Sequence, residues 1–416
     1  MRQRSEEQHT SIDFWGTYRH MSLFAYVSVL LLSVLPVPAK AQMWDSLATT
    51  DYRVDSSMTR TLRVVVDNLS FFRDNEYSST LTKGYSLPGL WIQPRLAYTP
   101  HRQIDLELGL HAAIFQGANK YPNYVYHDIA EWKGSQYQRG AHVLPWIRAR
   151  AQFQNLTVVL GDIYGGQNHQ LMEPLFHPET NLSQDPEAGF QLLWDRKHLH
   201  ADTWLNWQSF IFEEDSHQEA FTVGASWKIY PGDTNKSLRW YVPVQLVIQH
   251  RGGEQDTTAM GVQTIANAAT GAGITWTPHS ARTLTRLFAE ADALFACQQS
   301  GHLWPFDNGA AFHATAGVSL WQRLHIRGGY FIAPKHFVSL YGNHFFSTLS
   351  VRDGKSHDGI STAYAHIEYN HVFARRYVLG AEAELFQCSL PNRNESNFSF
   401  GLYLRVNPEF IIKRWK

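Results

Sequence analysis

The sequence predicts an all-β chain, a closed antiparallel transmembrane β-barrel of about 16 strands, within a range of roughly 14 to 18, preceded by a signal peptide. Three observations carry this prediction. Residues 103–115 alternate strictly, with Ile104, Leu106, Leu108, Leu110, Ala112 and Ile114 on one face and Asp105, Glu107, Gly109 and His111 on the other. Such a strand meets two solvents, as the wall of a membrane barrel does. The same alternation recurs about every 10 to 20 residues toward the C-terminus. The separators between these segments are of two kinds, short turns and long polar loops, in alternation.

The chain has 416 residues, of which 44% are hydrophobic, 14% aromatic and 18% charged. Spread thinly at alternate positions, such apolar residues suit a lipid-facing wall without forming a long hydrophobic run. The one continuous run, residues 23–35, is about 13 residues long, too short to cross a bilayer of roughly 30 Å as a helix. It reads as a secretory signal, with Ala39-Lys40-Ala41 as the cleavage pattern and Gln42 as the first mature residue. Arg19 and His20 flank it if translation starts at Met1, and are lost if it starts at Met21. An ordinary buried helix is the alternative, but a helix at the surface of a core needs a polar face that this run lacks. The chain thus divides into an N-terminal extension with signal peptide (1–41), a short segment (42–60), the barrel (61–407) and a C-terminal tail (408–416).

Within the barrel, short separators at 99–102, 155, 197–198, 231–237, 278–282, 322 and 374–375 alternate with longer ones at 74–86, 117–142, 165–185, 213–217, 252–260, 300–308, 334–359 and 389–394. The loop 334–359 contains 345–351, which reads as a further hairpin, and 156–163 is a short, weakly alternating strand. These two segments set the range on the strand count. Register is firmest on three strands. On 285–297, Leu287, Ala289, Ala291, Ala293 and Phe295 oppose Arg286, Glu290 and Asp292. On 377–387, Tyr377, Leu379, Ala381, Ala383 and Leu385 oppose Glu382 and Glu384, and on 397–407, Phe398, Phe400, Leu402, Leu404 and Val406 oppose Asn397, Ser399, Gly401 and Arg405. A slip by one residue would place charge in lipid, at about 2 to 4 kcal/mol per Arg or Lys near the midplane.

Aromatics cluster near segment ends, at Trp91, Tyr98, Trp146, Trp194, Trp227, Trp240, Trp276, Trp321 and Tyr377, where an interface would hold them. Register puts Trp91, Trp146 and Trp321 on the polar face, so the belt is incomplete. A soluble β-sandwich also alternates, but its strands average about 5 to 6 residues, against the 9 to 11 or more that a tilted crossing requires. The formal charge of −1 excludes strong attraction to nucleic acid. The two cysteines, Cys297 and Cys388, point to opposite faces by register and offer neither a disulfide framework nor a metal spacing. No cofactor or metal is expected.

If one face meets lipid, the other lines a lumen, and its charges are the candidate functional residues. The basic set is Arg95, Arg148, Arg150, Arg286, Arg323, Arg327 and Arg405, and the acidic set is Asp105, Glu107, Asp195, Asp202, Glu290, Asp292, Glu368, Glu382 and Glu384, with His111, His325 and His366. Opposed clusters across a water-filled bore orient dipolar solutes; the plainer reading is that these charges pair along the wall and solvate it. The loop after residue 161, with Asn168, His169, Glu173 and His177, is a constriction or ligand shelf if it folds inward and an ordinary exposed loop if it does not. The row Asp202, Trp204, Asn206, Gln208, Phe210 and Phe212 resembles a carbohydrate track, or else wedges the base of a loop. Although the chain holds 21 His, no Gly-x-Ser-x-Gly elbow or His-Glu-x-x-His pair occurs, so the expectation is that it is not an enzyme.

With these features the chain resembles the porin-like outer-membrane β-barrels of Gram-negative bacteria, and its signal, ending Ala-Lys-Ala before Gln42, is similar to those of the Bacteroidetes group. The resemblance covers 61–407 as architecture and rests on alternation and hairpin spacing. It implies short turns in the periplasm, long loops outside, and contact with outer-membrane lipid, lipopolysaccharide and the barrel insertion machinery. It implies passive diffusion of small polar solutes through a charge-lined lumen. A non-conducting barrel, serving at the surface or in export of a polysaccharide or protein, is the alternative, and a barrel-embedded hydrolase a third. Only about 20 residues separate the cleavage pattern from the first strand, too few for the plug domain of an energy-coupled receptor. The ending is unusual for such barrels, because Trp415 is penultimate and Pro408 interrupts the last strand.

Overall fold

Alternation along the chain becomes the two faces of one closed sheet in the computed structural model, which describes residues 52–116, 141–212, 217–253, 261–279, 283–373 and 376–415. The expected signal peptide, most of the loop 117–142 and parts of the loops 213–217 and 252–260 fall outside the described residues. The wall begins with β1 (Thr61–Ser78), β2 (Lys83–His101), β3 (Ile104–Phe115), β4 (His142–Phe153), β5 (Leu156–Asp162), β6 (Ala188–Arg196), β7 (Leu199–Ser209) and β8 (Ala220–Ile229). It continues through β9 (Leu238–Arg251), β10 (Gln263–Trp276), β11 (Leu284–Ser300), β12 (Asn308–Leu320), β13 (Leu324–Ala333), β14 (Ile360–Phe373), β15 (Tyr377–Leu390), β16 (Arg393–Val406) and β17 (Glu409–Arg414). From β1 to β16 each strand pairs antiparallel with the next, and β1 closes the ring by pairing with both β16 and β17.

Closure uses two strands on one edge. Asn68–Glu76 of β1 pairs with β16, and Thr61–Val65 pairs with β17. Proline cannot donate to a ladder, and Pro408 sits at the break between the two; its carbonyl accepts from Val66 N–H at 3.0 Å, so pairing resumes beyond it. The wall therefore has sixteen staves, the last in two pieces. The segment after Pro408, read from sequence as a tail, completes the barrel instead.

The register follows the sequence pattern. On β3, Ile104, Leu106, Leu108, Leu110 and Ile114 are exposed while Asp105, Glu107 and His111 are buried. Leu108 is 60% exposed, Ile147 58% and Leu402 54%, values that no aqueous surface would place in one belt. Cys297 lies outside and Cys388 inside, both free. At the β12–β13 turn, Trp321 and Gln322 have φ of 53° and 59°, and Arg323 N–H bonds Leu320 C=O at 3.0 Å. Two left-handed central residues make the hairpin geometry that matches strand twist.

The lumen is not an open bore. Residues 334–359 turn inward, placing Phe337, Leu340, Tyr341, Phe345, Phe346 and Leu349 among the inward-facing wall residues Ile265, Leu294, Phe331, Tyr364 and Phe386. Residues 345–351 thus form no wall hairpin; a short 3-10 turn at His344–Phe346 carries two fully buried rings. Residues 163–187 also fold inward, burying Leu171, Leu175 and Phe176, and Phe176 bridges Tyr341 of the other loop. These rings would otherwise stand in water, and each buried Phe or Leu contributes about 1.5 to 3 kcal/mol. The strands that launch the first loop, β5 and β6, are correspondingly short at 7 and 9 residues. From the short-turn end, Tyr52 enters and donates to Asp195 at 2.6 Å.

Leu108 sits midway along β3 with its side chain outside. Leu108→Arg is expected to lower unfolding free energy by about 2 to 4 kcal/mol, measured by denaturant titration in lipid vesicles. A change below about 0.5 kcal/mol would contradict a lipid-facing position.

Candidate functional site in the barrel lumen

The first inward loop is fixed by His169. Its Nδ1 lies 2.7 Å from Asp202 Oδ2 and its Nε2 3.2 Å from Glu187 Oε2, and its ring stacks on Trp204 with centroids 3.5 Å apart. Burial opposes the charge on this ring, but the two carboxylates outweigh it and raise the pKa to about 9. Trp204 can lie flat because Gly224 faces it across the ladder, where a Cβ would stand 2.0 Å from the indole. Gln208 reaches Tyr341 Oη at 3.4 Å, while Phe210 and Phe212 are exposed beyond the strand. The row on β7 therefore seats the inward loops through Asp202, Trp204 and Gln208.

Deeper in, Arg73 of β1 is almost completely buried among carboxylates. Its Nε is 2.8 Å from Glu179 Oε2 of the loop, Nη1 is 2.6 Å from Glu382 Oε1, and Nη2 meets Glu384. Asn75 and Ser399 bond the same guanidinium. Arg327 Nη2 stands 2.9 Å from Glu173 Oε2 and 2.7 Å from His366 Nδ1. Glu173, His366 and Glu384 offer ligand atoms within 4.8 Å of one another, a metal-like set. The guanidinium of Arg327 already takes two of the three, so a cation is supplied by the chain itself. Burial drives His177 and His344 down to about 3, and the two rings, 6.1 Å apart, sit there uncharged.

A second region faces a cavity of about 560 Å³ that runs from Glu409, Arg376 and Asn407 at the short-turn end up to Asp185 and Glu187. Arg95, Arg148 and Arg150 converge there on Glu107, at 3.4, 3.8 and 3.3 Å, and Asp105 is shared by Arg63 and Arg150. Arg148 lies between the rings of Trp146 and Tyr164, 4.7 and 4.0 Å from their centres, and donates to the carbonyls of Asp162 and Ile163. At the long-loop end of β4, His142 Nε2 is 2.8 Å from Asp185 Oδ1. This dyad is partly open to solvent, with side chains 16% and 28% exposed.

The structure brings the sequence candidates into these clusters unevenly. Glu107, Arg95, Arg148 and Arg150 line the cavity, with Asp105 paired to Arg150; Glu382 and Glu384 gather at Arg73; Arg327 reaches the loop. Arg405 pairs with Asp67 at 2.9 Å, and Glu368 accepts from Tyr403 at 3.3 Å. Glu290 and Asp292 lie on β11, Asp292 buried 3.9 Å from His313, and Arg286 stacks on Phe288. Arg323 is corrected: it lies in the β12–β13 turn, off the wall, as does Trp321. Of the loop candidates, His169, Glu173 and His177 are buried and Asn168 lines the cavity. Glu179, in the same candidate loop, is buried against Arg73, whereas Arg63, Asp67, Arg73 and the His142–Asp185 dyad are not among the sequence candidates. Alternation alone would have placed Arg63, Asp67 and Arg73 in the lumen, since all three share a face of β1.

A closed antiparallel sheet with an apolar belt outside and this charge inside is a transmembrane β-barrel of the kind found in bacterial outer membranes. The chain belongs to the lipid A 3'-O-deacylase-type family, whose model matches residues 54–415. That membership corrects the expectation of no enzymatic activity, because the family is one of enzymes. A missing contiguous motif is weak evidence in a barrel, where groups from distant strands meet. Similar solved structures include a loop-deletion mutant of OmpT, an outer-membrane protein of Vibrio cholerae, at TM-score 0.46 and 9% identity, covering 84% of this chain and 99% of that one. OpdK of Pseudomonas aeruginosa has TM-score 0.46 and 8% identity over 85% of this chain and 100% of its own. A BenF-like porin of Pseudomonas fluorescens has TM-score 0.45 and 7% identity over 84% and 100%. No curated protein matches the chain in sequence.

The raised pKa of His169 has a definite pH consequence. The stabilisation its charge lends to loop docking is complete below about pH 6.5 and is lost as pH rises through about 9. Limited proteolysis with a protease active across this range is expected to cleave residues 163–187 increasingly above pH 9, whereas His169→Ala is cleaved at every pH. Equal protection of the two proteins at pH 7 would contradict this.

Proposed function

We propose that the protein is a barrel-embedded hydrolase that removes an ester-linked acyl chain from a lipid A-type glycolipid of its own membrane. Membership of the lipid A 3'-O-deacylase-type family over the whole wall carries this reading. Ester hydrolysis needs a base that takes a proton from the attacking hydroxyl or water, and a histidine oriented by a carboxylate is suited to that work. The His142–Asp185 pair is the candidate. It stands at the long-loop end, is partly solvated, and adjoins the cavity through Asp185. His169 is less suited, since both its nitrogens are engaged with carboxylates. Lipopolysaccharide is then a partner as substrate, and the insertion machinery one during assembly.

Passage of small polar solutes is the second reading, supported by the cavity of about 560 Å³ that reaches the periplasmic rim. Two inward loops packed against each other stand in the way of steady diffusion.

Purified protein in mixed micelles with lipid A is expected to release fatty acid, read by mass spectrometry. His142→Ala should slow release by about 10² to 10⁴-fold with the fold retained, and Asp185→Asn by less. An unchanged rate in His142→Ala would remove the dyad from the mechanism. Failure of the wild type to release any acyl chain would remove the activity.

A further inference from the structure

The cavity presents more fixed positive charge on one wall than the neighbouring carboxylates match. Arg95, Arg148 and Arg150 face one carboxylate there, Glu107, and Arg150 shares a second, Asp105, with Arg63, which is also paired with Glu409 at 2.6 Å. Other buried or partly buried acids of the lining are already engaged, Asp67 by Arg405, Glu187 by His169, Asp185 by His142 and Glu409 by Arg63 and Arg376, while Asp55 is exposed at the rim. Among the described residues, Arg95 makes one hydrogen bond, from Nη1 to Gln93 Oε1 at 3.2 Å, and its buried Nε stands 3.4 Å from Glu107 Oε2 without completing a hydrogen bond. The Nε of Arg150 and the indole Nε1 of Trp146 are likewise buried without one. Trp146 is 4% exposed, lines the cavity, and lies under both Arg95 and Arg148, with guanidinium carbons 4.9 and 4.7 Å from its ring centre. An unmatched buried donor costs free energy that an incoming acceptor recovers, and a planar guanidinium presents its donors in a fork shaped for oxyanions.

We propose that this wall is a binding site for an oxyanion, the carboxylate or phosphate group of a small solute, held by Arg95, Arg150 and the Trp146 N–H in the field of Arg148. A volume of about 560 Å³ admits a small molecule around that group. Because the cavity reaches the short-turn rim at Arg376 and Glu409, the ligand enters from the periplasm. The site is distinct from the His142–Asp185 dyad and does not rest on the hydrolase reading.

The test is calorimetric titration of the purified, detergent-solubilised protein at low salt, with inorganic phosphate in one arm and acetate in the other. Saturable binding of one anion per chain is expected in at least one arm, and which arm responds distinguishes phosphate from carboxylate. Arg95→Gln should weaken it at least about tenfold. Glu107→Gln, which removes the competing carboxylate, should tighten it, a result that a purely structural role for these residues would not give. Arg376→Gln at the cavity mouth should leave it within about twofold. No saturable binding in either arm overturns the proposal, as does equal weakening by Arg95→Gln and Arg376→Gln, which would indicate general attraction rather than a site.

Discussion

The interaction on which the rest of the structure depends is the buried guanidinium of Arg73. It stands on the first strand, next to the seam, and its carboxylate partners come from two places. Glu382 and Glu384 lie on β15, two staves away across β16, and Glu179 lies on the inward loop. Taking such a charge out of water costs several kcal/mol, and leaving carboxylates buried without it costs as much again. The groups are therefore stable only as a set. The closed ring brings β15 to β1, and the folded loop brings Glu179, so wall closure and lumen filling reinforce each other through one side chain. Arg63 with Glu409 and Arg405 with Asp67 repeat the device along the same seam.

How much of this was legible in sequence depended on the range of the interaction. Wall strands such as β3 or β16 could be read because each residue's environment is set by its neighbours two positions away. The same alternation on β1 holds Arg63, Asp67 and Arg73, but Arg73 stands beside the polar run that begins at residue 74, where strand and loop look alike in sequence. The direction of the two long loops was not legible. Phe345 and Phe346 look the same in sequence whether they pack into a lumen or begin a hairpin, and only the apolar inner surface of Phe331, Tyr364 and Phe386 decides it. The aromatic row on β7 was ambiguous for the same reason, since its true neighbour, His169, is 35 residues from Trp204 in the chain.

Candidate chemistry was harder still. His142 and Asp185 are separated by a long loop and two strands, and neither sits in a motif. Searching for contiguous signatures could not find them, and led to an expectation of no catalysis that the family membership overturns. Charged groups of the cavity wall were easier, because Asp105, Glu107, Arg148 and Arg150 lie on adjacent strands that a correct register pairs, Asp105 with Arg150 and Glu107 with Arg148.

The split final stave bears on how the molecule reaches its native state. Thr61 pairs with Arg414, so the ladder that seals the ring joins the first and last strands of the wall. Loop-closure entropy for such a pairing is met only after the intervening hairpins exist. A nascent chain emerging N-terminus first thus carries β1 with one edge unmatched until β16 and β17 have been made, and that edge must be shielded in transit from pairing with other chains.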